Sequence, residues 1–294
     1  MKEKIANLVK LSREVGAHLD YVQGGGGNIS VKISNDLMAI KASGYELKNV
    51  SEQSGFAFVN HLEINQKISE FRQNENGSDE KFSAAVKSSG TEIAPYPQLR
   101  PSMETGFHSL LPFQYVIHSH AVYAAILACC LEGKKIAQEI FSDFLWIDYH
   151  NPGWQLTEAI FENLKNSKKP KIIFLQNHGL IVAGDDADEL LEFHKQVNQK
   201  IQDHLNVSPF KLTDVKIFDL ELMKKNVLFP DQIVFGLSEE FAKSQVAQHI
   251  FAAYSYIRQS IEKSGLTPIF VSQKNIDFVA NMESEKYRKE VAKK

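Results

Sequence analysis

The sequence predicts a mixed α/β fold, and three observations carry that expectation. Helix-period and strand-like stretches follow one another along most of the chain. They do so without the strict strand–helix–strand rhythm of a doubly wound parallel sheet, and the early strands are joined by short connections, as in a sheet built locally. With 294 residues, 43% hydrophobic and 23% charged, the chain can bury a large core in one big domain or two small ones.

The elements follow in order. Residues 2–18 place Ile5, Leu8, Val9, Leu11 and Val15 three and four apart, the period of an amphipathic helix. YVQGGGGNISVKI then turns through glycines into a strand, and LMAIKASG (37–44) and GFAFVN (55–60) read as further strands. The polar run QNENGSDE (73–80) reads as a mobile loop. From Arg100, RPSMETGFHSLL resembles a helix start, with Pro101 near the first turn and Glu104 close to the positive end of the dipole. FQYVIHSH is strand-like, 121–133 helical, DFLWIDY extended, and HNPG a turn into the helix WQLTEAIFENLKN. KIIFLQNHGLIVAG (171–184) reads as one strand before the long helix DADELLEFHKQVNQKIQDHL. Beyond 206 come a strand-like QIVFGL, a helical 238–263, TPIFVS and a charged final helix, together read as an appendage on the main domain.

A net charge of −3, from 33 Lys+Arg against 36 Asp+Glu, gives no global electrostatic reason to bind nucleic acid or acidic membranes. Cys129 and Cys130 are adjacent in an apolar stretch, where a mutual disulfide would be strained and a packed role is expected. No run approaches the roughly 20 apolar residues of a membrane-spanning helix. A reducing, cytoplasmic location is the expectation.

The chemistry centres on IHSHAV (117–122). In an extended strand, residues two apart share a face, so His118 and His120 present both imidazoles to one point while Ser119 faces away. A metal ion at about 2.0–2.1 Å from each nitrogen requires that arrangement. The spacing alone does not separate a metal pair from packed or surface histidines. His178, ending an apolar strand before a glycine, is the best third ligand, because a polar ring there is costly without a partner. His194 and His204 fall on a helix full of charges and read as solvated. His108 lies four residues after Glu104 on the same helical face, placed to orient a group near the metal. GGGGNIS (24–30) lets backbone amides approach a phosphate, and KASG (41–44) adds a second small, hydroxyl-bearing turn. Either string by itself is more often a plain turn than an anion site.

As an ordered set, GGGGNIS, KASG, RPSMETGFH, HSH and NHG resemble the class II aldolase/adducin family, over about residues 5–204. PSMETxxH and the YxxPG at Tyr149–Gly153 look most like its rhamnulose-1-phosphate and fuculose-1-phosphate aldolase types. The resemblance implies a three-layer α/β/α sandwich around a mostly antiparallel sheet. Residues 1–205 would form the catalytic domain, with 206–294 a C-terminal extension packed on or appended to it, in a homotetramer with active sites at subunit interfaces. It also implies that His118, His120 and His178 hold a divalent cation, Zn²⁺ by default or else Co²⁺ or Mn²⁺, with Glu104 as catalytic acid/base. Gly27, Asn28, Ser43, Gly44 and Ser102 would bind substrate phosphate. Met103 stands where many relatives carry a second serine, so one phosphate donor is missing. The tyrosine that the family borrows from a neighbouring subunit has no marked position, and Tyr149 is the candidate. The implied activity is retro-aldol cleavage of a small-molecule sugar phosphate, a ketose 1-phosphate, to dihydroxyacetone phosphate and an aldehyde. Alternatives are a pentulose-phosphate 4-epimerase, a methylthioribulose-phosphate dehydratase, or a non-catalytic adducin-like interaction protein. Glu104 favours the aldolase, since the epimerases usually carry aspartate there, and the intact histidines disfavour an inert scaffold.

Overall fold

A seven-stranded sheet in the order β3-β2-β1-β4-β7-β6-β5 organises the molecule. The structure is a computed structural model that describes residues 1–165, 169–214, 219–241 and 243–293. The strands are β1 (Asn28–Lys32), β2 (Leu37–Lys41), β3 (Phe56–Asn60), β4 (Tyr115–Ser119), β5 (Leu145–Ile147), β6 (Ile172–Leu175) and β7 (Gly179–Gly184). All neighbours pair antiparallel except β5 and β6. The expected mixed α/β, mostly antiparallel architecture is what forms.

The pleat of β4 sorts its side chains between two cores. Tyr115 and Ile117 enter a large cluster with helices α1 (Lys2–Gly16), α5 (Val122–Ala128), α6 (Gly133–Ile140) and α8 (Ala187–Leu205). Val116 points to the opposite face, among Phe107 of α4 (Thr105–Leu110) and Leu156 and Ile160 of α7 (Trp154–Leu164). Beside that second core, α2 (His61–Gln73) and α3 (Asp79–Ser88) cover β2 and β3 through Ile64, Ile68 and Phe82. Helices therefore lie on both faces, which is what a sheet apolar on both sides requires.

Residues beyond 206 share the larger core. Ile250, Ala253, Tyr254 and Ile257 of α10 (Gln245–Lys263) join the same cluster as α5. The same segment carries α9 (Leu220–Lys225), α11 (Gln273–Asn281) and α12 (Glu283–Ala292). No helix among the described residues is long and apolar enough to cross a membrane.

Several local expectations change. The run 171–184 is two strands, because Asn177 takes a left-handed φ of 52° and Gln176–His178 form a turn between them. QIVFGL is not a strand: Leu237 N donates to Gln232 O at 2.8 Å, a wide helical turn with Gln232–Gly236 all buried. A short apolar run buried all round has no periodicity by which strand and helix differ. The predicted helix at 100 begins only at Thr105; Pro101 instead bridges Ala42. The helix predicted over 121–133 stops at Ala128, and α6 starts at Gly133. Residues 73–80 are partly helical, since Ser78 caps α3 by accepting from Lys81 N. The α7 helix ends at Leu164, and Asn166, to which it was expected to run, lies outside the described residues, as does Ala242 of the predicted 238–263 helix. His194 is fully buried rather than solvated. Cys129 and Cys130 are free and buried, as expected of packed thiols.

Candidate metal centre

The end of β4 delivers the two histidines as its pleat dictates. His118 faces the α4 side, its ring edge-on to Phe107 at 5.5 Å, while Ser119 faces α8 and meets His194 Nε2 at 2.8 Å. His120 follows on the His118 side, and the β6–β7 turn brings His178 to the same place. The ring centroids lie 5.0, 5.0 and 5.3 Å apart, and all three rings are buried. Gly179 makes this convergence possible: a Cβ there would lie 2.4 Å from Ser119 O and 3.2 Å from both the His118 and His120 rings.

The outer nitrogens fix the tautomers. His118 Nδ1 donates to Leu180 O at 3.1 Å, and His120 Nδ1 donates to the Asp231 carboxylate at 2.7 Å. Burial pushes His118 well below the usual imidazole range, so its ring is neutral and Nε2 carries a lone pair. His118 Nε2 and His120 Nε2 lie 3.1 Å apart. Ligand atoms on 2.0–2.1 Å arms of a tetrahedron sit about 3.3 Å from one another. One atom from each of the three histidines falls within 4.8 Å of the others, so the donor set fits a single divalent cation.

Glu104 completes the cluster from the N-cap position of α4. Its carboxylate lies 3.1 Å from His178 Nε2 and 3.6 Å from His118 Nε2, and accepts from Asn28 Nδ2 at 2.6 Å. Burial opposes its ionisation, but the surrounding imidazoles, His178 through a hydrogen bond, outweigh burial and hold the carboxyl well below the usual carboxylate range. His108 reaches this group indirectly. Its Nε2 bonds Asn28 Oδ1, Ser30 Oγ lies 2.7 Å from its Nδ1, and burial pushes its pKa down to about 3, so the neutral ring orients Asn28, which in turn holds Glu104.

With this geometry in view, residues 6–202 match the Class II Aldolase and Adducin N-terminal domain. The chain belongs to that family. The uncharacterized oxidoreductase YuxG of Bacillus subtilis (strain 168) is 25% identical over 211 residues, 69% of this chain but 30% of that protein. The chain thus spans under a third of YuxG's length. The N-terminal class II aldolase domain of a conserved Thermoplasma acidophilum protein is 26% identical with a TM-score of 0.58, over 68% of this chain and 92% of that one. A sugar-phosphate aldolase from Thermotoga maritima shares the fold at 12% identity and a TM-score of 0.51, over 70% of this chain and 95% of that one.

Within this class II aldolase domain, Gly27, Asn28, Ser43, Gly44 and Ser102 line one small cavity together with Glu104, His120 and His178. Asn28 is already engaged, with Ser102 Oγ at 3.3 Å as well as Glu104. Met103 lines the cavity too. Tyr149 does not: its hydroxyl donates to Asn151 Oδ1 at 3.1 Å, away from the imidazoles of its own chain.

Sequence reasoning missed four charged residues here. Asp231, Glu285 and Arg288 come from the C-terminal segment, and Lys41 from the end of β2. Lys41 Nζ donates to Gly25 O at 2.8 Å and Tyr45 O at 2.7 Å, and burial, with Arg288 nearby, pushes its pKa down to about 7. Lys41 stands inside the quoted KASG turn, and its position as a lysine in an otherwise apolar strand was the available signal. No local pattern marks the other three.

Proposed function

We propose that the chain is a divalent-metal-dependent lyase that cleaves a ketose 1-phosphate by retro-aldol chemistry into dihydroxyacetone phosphate and an aldehyde. The observation that carries this reading is one ionised carboxylate, Glu104, within 3.1–3.6 Å of two imidazole nitrogens in a cluster of three histidines whose candidate ligand atoms lie within 4.8 Å of one another. His118, His120 and His178 would hold the cation, Zn²⁺ by expectation, which when bound supplies Lewis acidity toward the oxygens of a hydroxyketone.

The chain's own residues do the rest. Glu104 takes the proton from the C4 hydroxyl of the ketose. The C3–C4 bond then breaks as C4 becomes the aldehyde carbonyl, its electron pair passing to C3 and the adjoining C2 carbonyl. A proton returned to C3 closes the balance. Asn28, held by His108, keeps Glu104 aimed at this position, and burial excludes water that would compete for the proton. Ser43, Gly44 and Ser102 are the proposed phosphate contacts, with Arg288 adding positive charge to the same cavity. Assembly as a homotetramer belongs to this reading, and light scattering of the purified protein checks it.

The test is release of dihydroxyacetone phosphate from a panel of ketose 1-phosphates, by chelator-stripped protein and after return of Zn²⁺ or Co²⁺. Glu104→Gln is expected to lower the metal-restored rate by about 10²–10⁴-fold. Full activity of the stripped protein, or of Glu104→Gln, would overturn the reading.

A further inference from the structure

We infer that Asp231 is a positioning residue for the metal ligand His120, and that Arg288 of the last helix holds Asp231 in that role, so docking of α12 and metal affinity are coupled. The inference rests on the metal reading of the three imidazoles. Both residues lie outside the 6–202 family domain.

The three rings are supported differently. His118 Nδ1 meets a backbone carbonyl, while His178 Nδ1 finds no partner among the described residues. Only His120 is backed by a carboxylate, and that arrangement fixes a ring's tautomer and raises the basicity of its other nitrogen. The Asp231 side chain is 1% exposed and divides its oxygens: Oδ2 lies 2.7 Å from His120 Nδ1 and Oδ1 lies 2.9 Å from Arg288 Nη2. Arg288 also pairs with Glu285 at 2.8 and 3.1 Å, so α12 presents a guanidinium already oriented by its own helix.

A second observation shows that the sequence makes room for this contact. A Cβ on Gly26 would lie 2.4 Å from Asp231 Oδ2 and 2.7 Å from His120 Nδ1. Any side chain at this position of the glycine run collides with the pair itself. The glycines therefore serve the His120–Asp231 contact, besides any approach to phosphate. A surface ion pair between Asp231 and Arg288 alone would need neither Gly26 nor the alignment of Oδ2 on the ring.

Coupling follows by linkage. If docked α12 strengthens cation binding by some factor, the bound cation strengthens docking by the same factor. Removing a carboxylate behind a metal-bound histidine typically weakens the metal about 10–100-fold.

The experiment titrates the chelator-stripped full chain with Co²⁺, read by its visible absorption, and follows hydrogen exchange over 283–292 with and without Co²⁺. Asp231→Asn and Gly26→Ala are each expected to weaken Co²⁺ by about 10–100-fold. Arg288→Met should weaken it by a smaller factor in the same direction, and Arg288→Lys should restore part of the loss. Co²⁺ should slow exchange over 283–292 in the wild type and not in Asp231→Asn. Glu139→Gln, which removes an exposed carboxylate facing His204, is the control and should bind Co²⁺ normally. Wild-type protein that takes up no Co²⁺ overturns the metal reading and this inference together. Normal wild-type binding with an unchanged Kd in folded Asp231→Asn overturns the coupling alone.

Discussion

Strand β4 and helix α12 meet at one site and are held there by opposite means. Every residue of β4 is buried, and the strand is bonded on both sides, to β1 and β7. Helix α12 fully buries only Ser284 and Glu285. Its fastenings are largely ionic, Arg100 with Glu283, Arg288 with Asp231 and, just past its end, Lys293 with Glu240, beside Val291 on the Gly44 turn. The strand fixes His118 through the backbone ladder and sets His120 just past its end, so His118 keeps its place as long as the sheet does. The helix has little apolar burial to lose, so it can detach while the sheet stays intact.

The sharpest way to break this comparison is to weaken each region separately. Ile117→Ala, at the fully buried centre of β4, is expected to cost about 2–5 kcal/mol of global stability in urea unfolding. A loss well under 1 kcal/mol would show that β4 is not the rigid partner.

Lys41 tests the seam between the regions. Its folded pKa of about 7 lies below the ordinary lysine value of 10.5, so between those pH values the unfolded state holds a proton that the folded state lacks. Stability must then rise with pH across that window, by up to about 1.4 kcal/mol per pH unit from this group, and level off below it. Subtracting the profile of Lys41→Met isolates the contribution. A difference that is flat between pH 7 and 10 would mean that the ammonium is not disfavoured by the fold.

The smallest expected effect belongs to α12. Arg100→Ala should change global stability by about 1 kcal/mol or less, since exposed ion pairs contribute little. It should nevertheless speed hydrogen exchange over 283–292 several-fold, as should added salt. A large global loss from this one substitution would place the helix in the same cooperative unit as the sheet.

The regions differ in legibility as they do in attachment. His118 and His120 are readable because strand period is a local pattern, whereas the role of Glu104 is implied by the ordered motif set and not by the Pro101–Glu104 segment, which precedes the helix rather than starting it. The turn carrying His178 was hidden because apolar residues on both sides of QNH read as one strand, and only Asn177 in the left-handed region breaks it. His194 looked solvated among its charged neighbours. Its place in the buried stripe Leu190, Leu191, His194, Val197, Ile201 was present in the spacing and outweighs them. Asp231 and Arg288 could not be found this way. Their meaning depends on chain segments 57 residues apart closing on each other, and no sequence period encodes that.

Val291 settles what the site can admit as it stands. It packs on the Gly44 turn, where an added Cβ would lie 2.6 Å from its own Cβ, and the cavity beneath holds about 20 Å³. That is room for a single water molecule. On the proposed function a sugar phosphate is larger than this space, so its binding would require α12 to move off the Gly44 turn. Apparent affinity would then scale with the fraction of molecules in which α12 stands away from that turn.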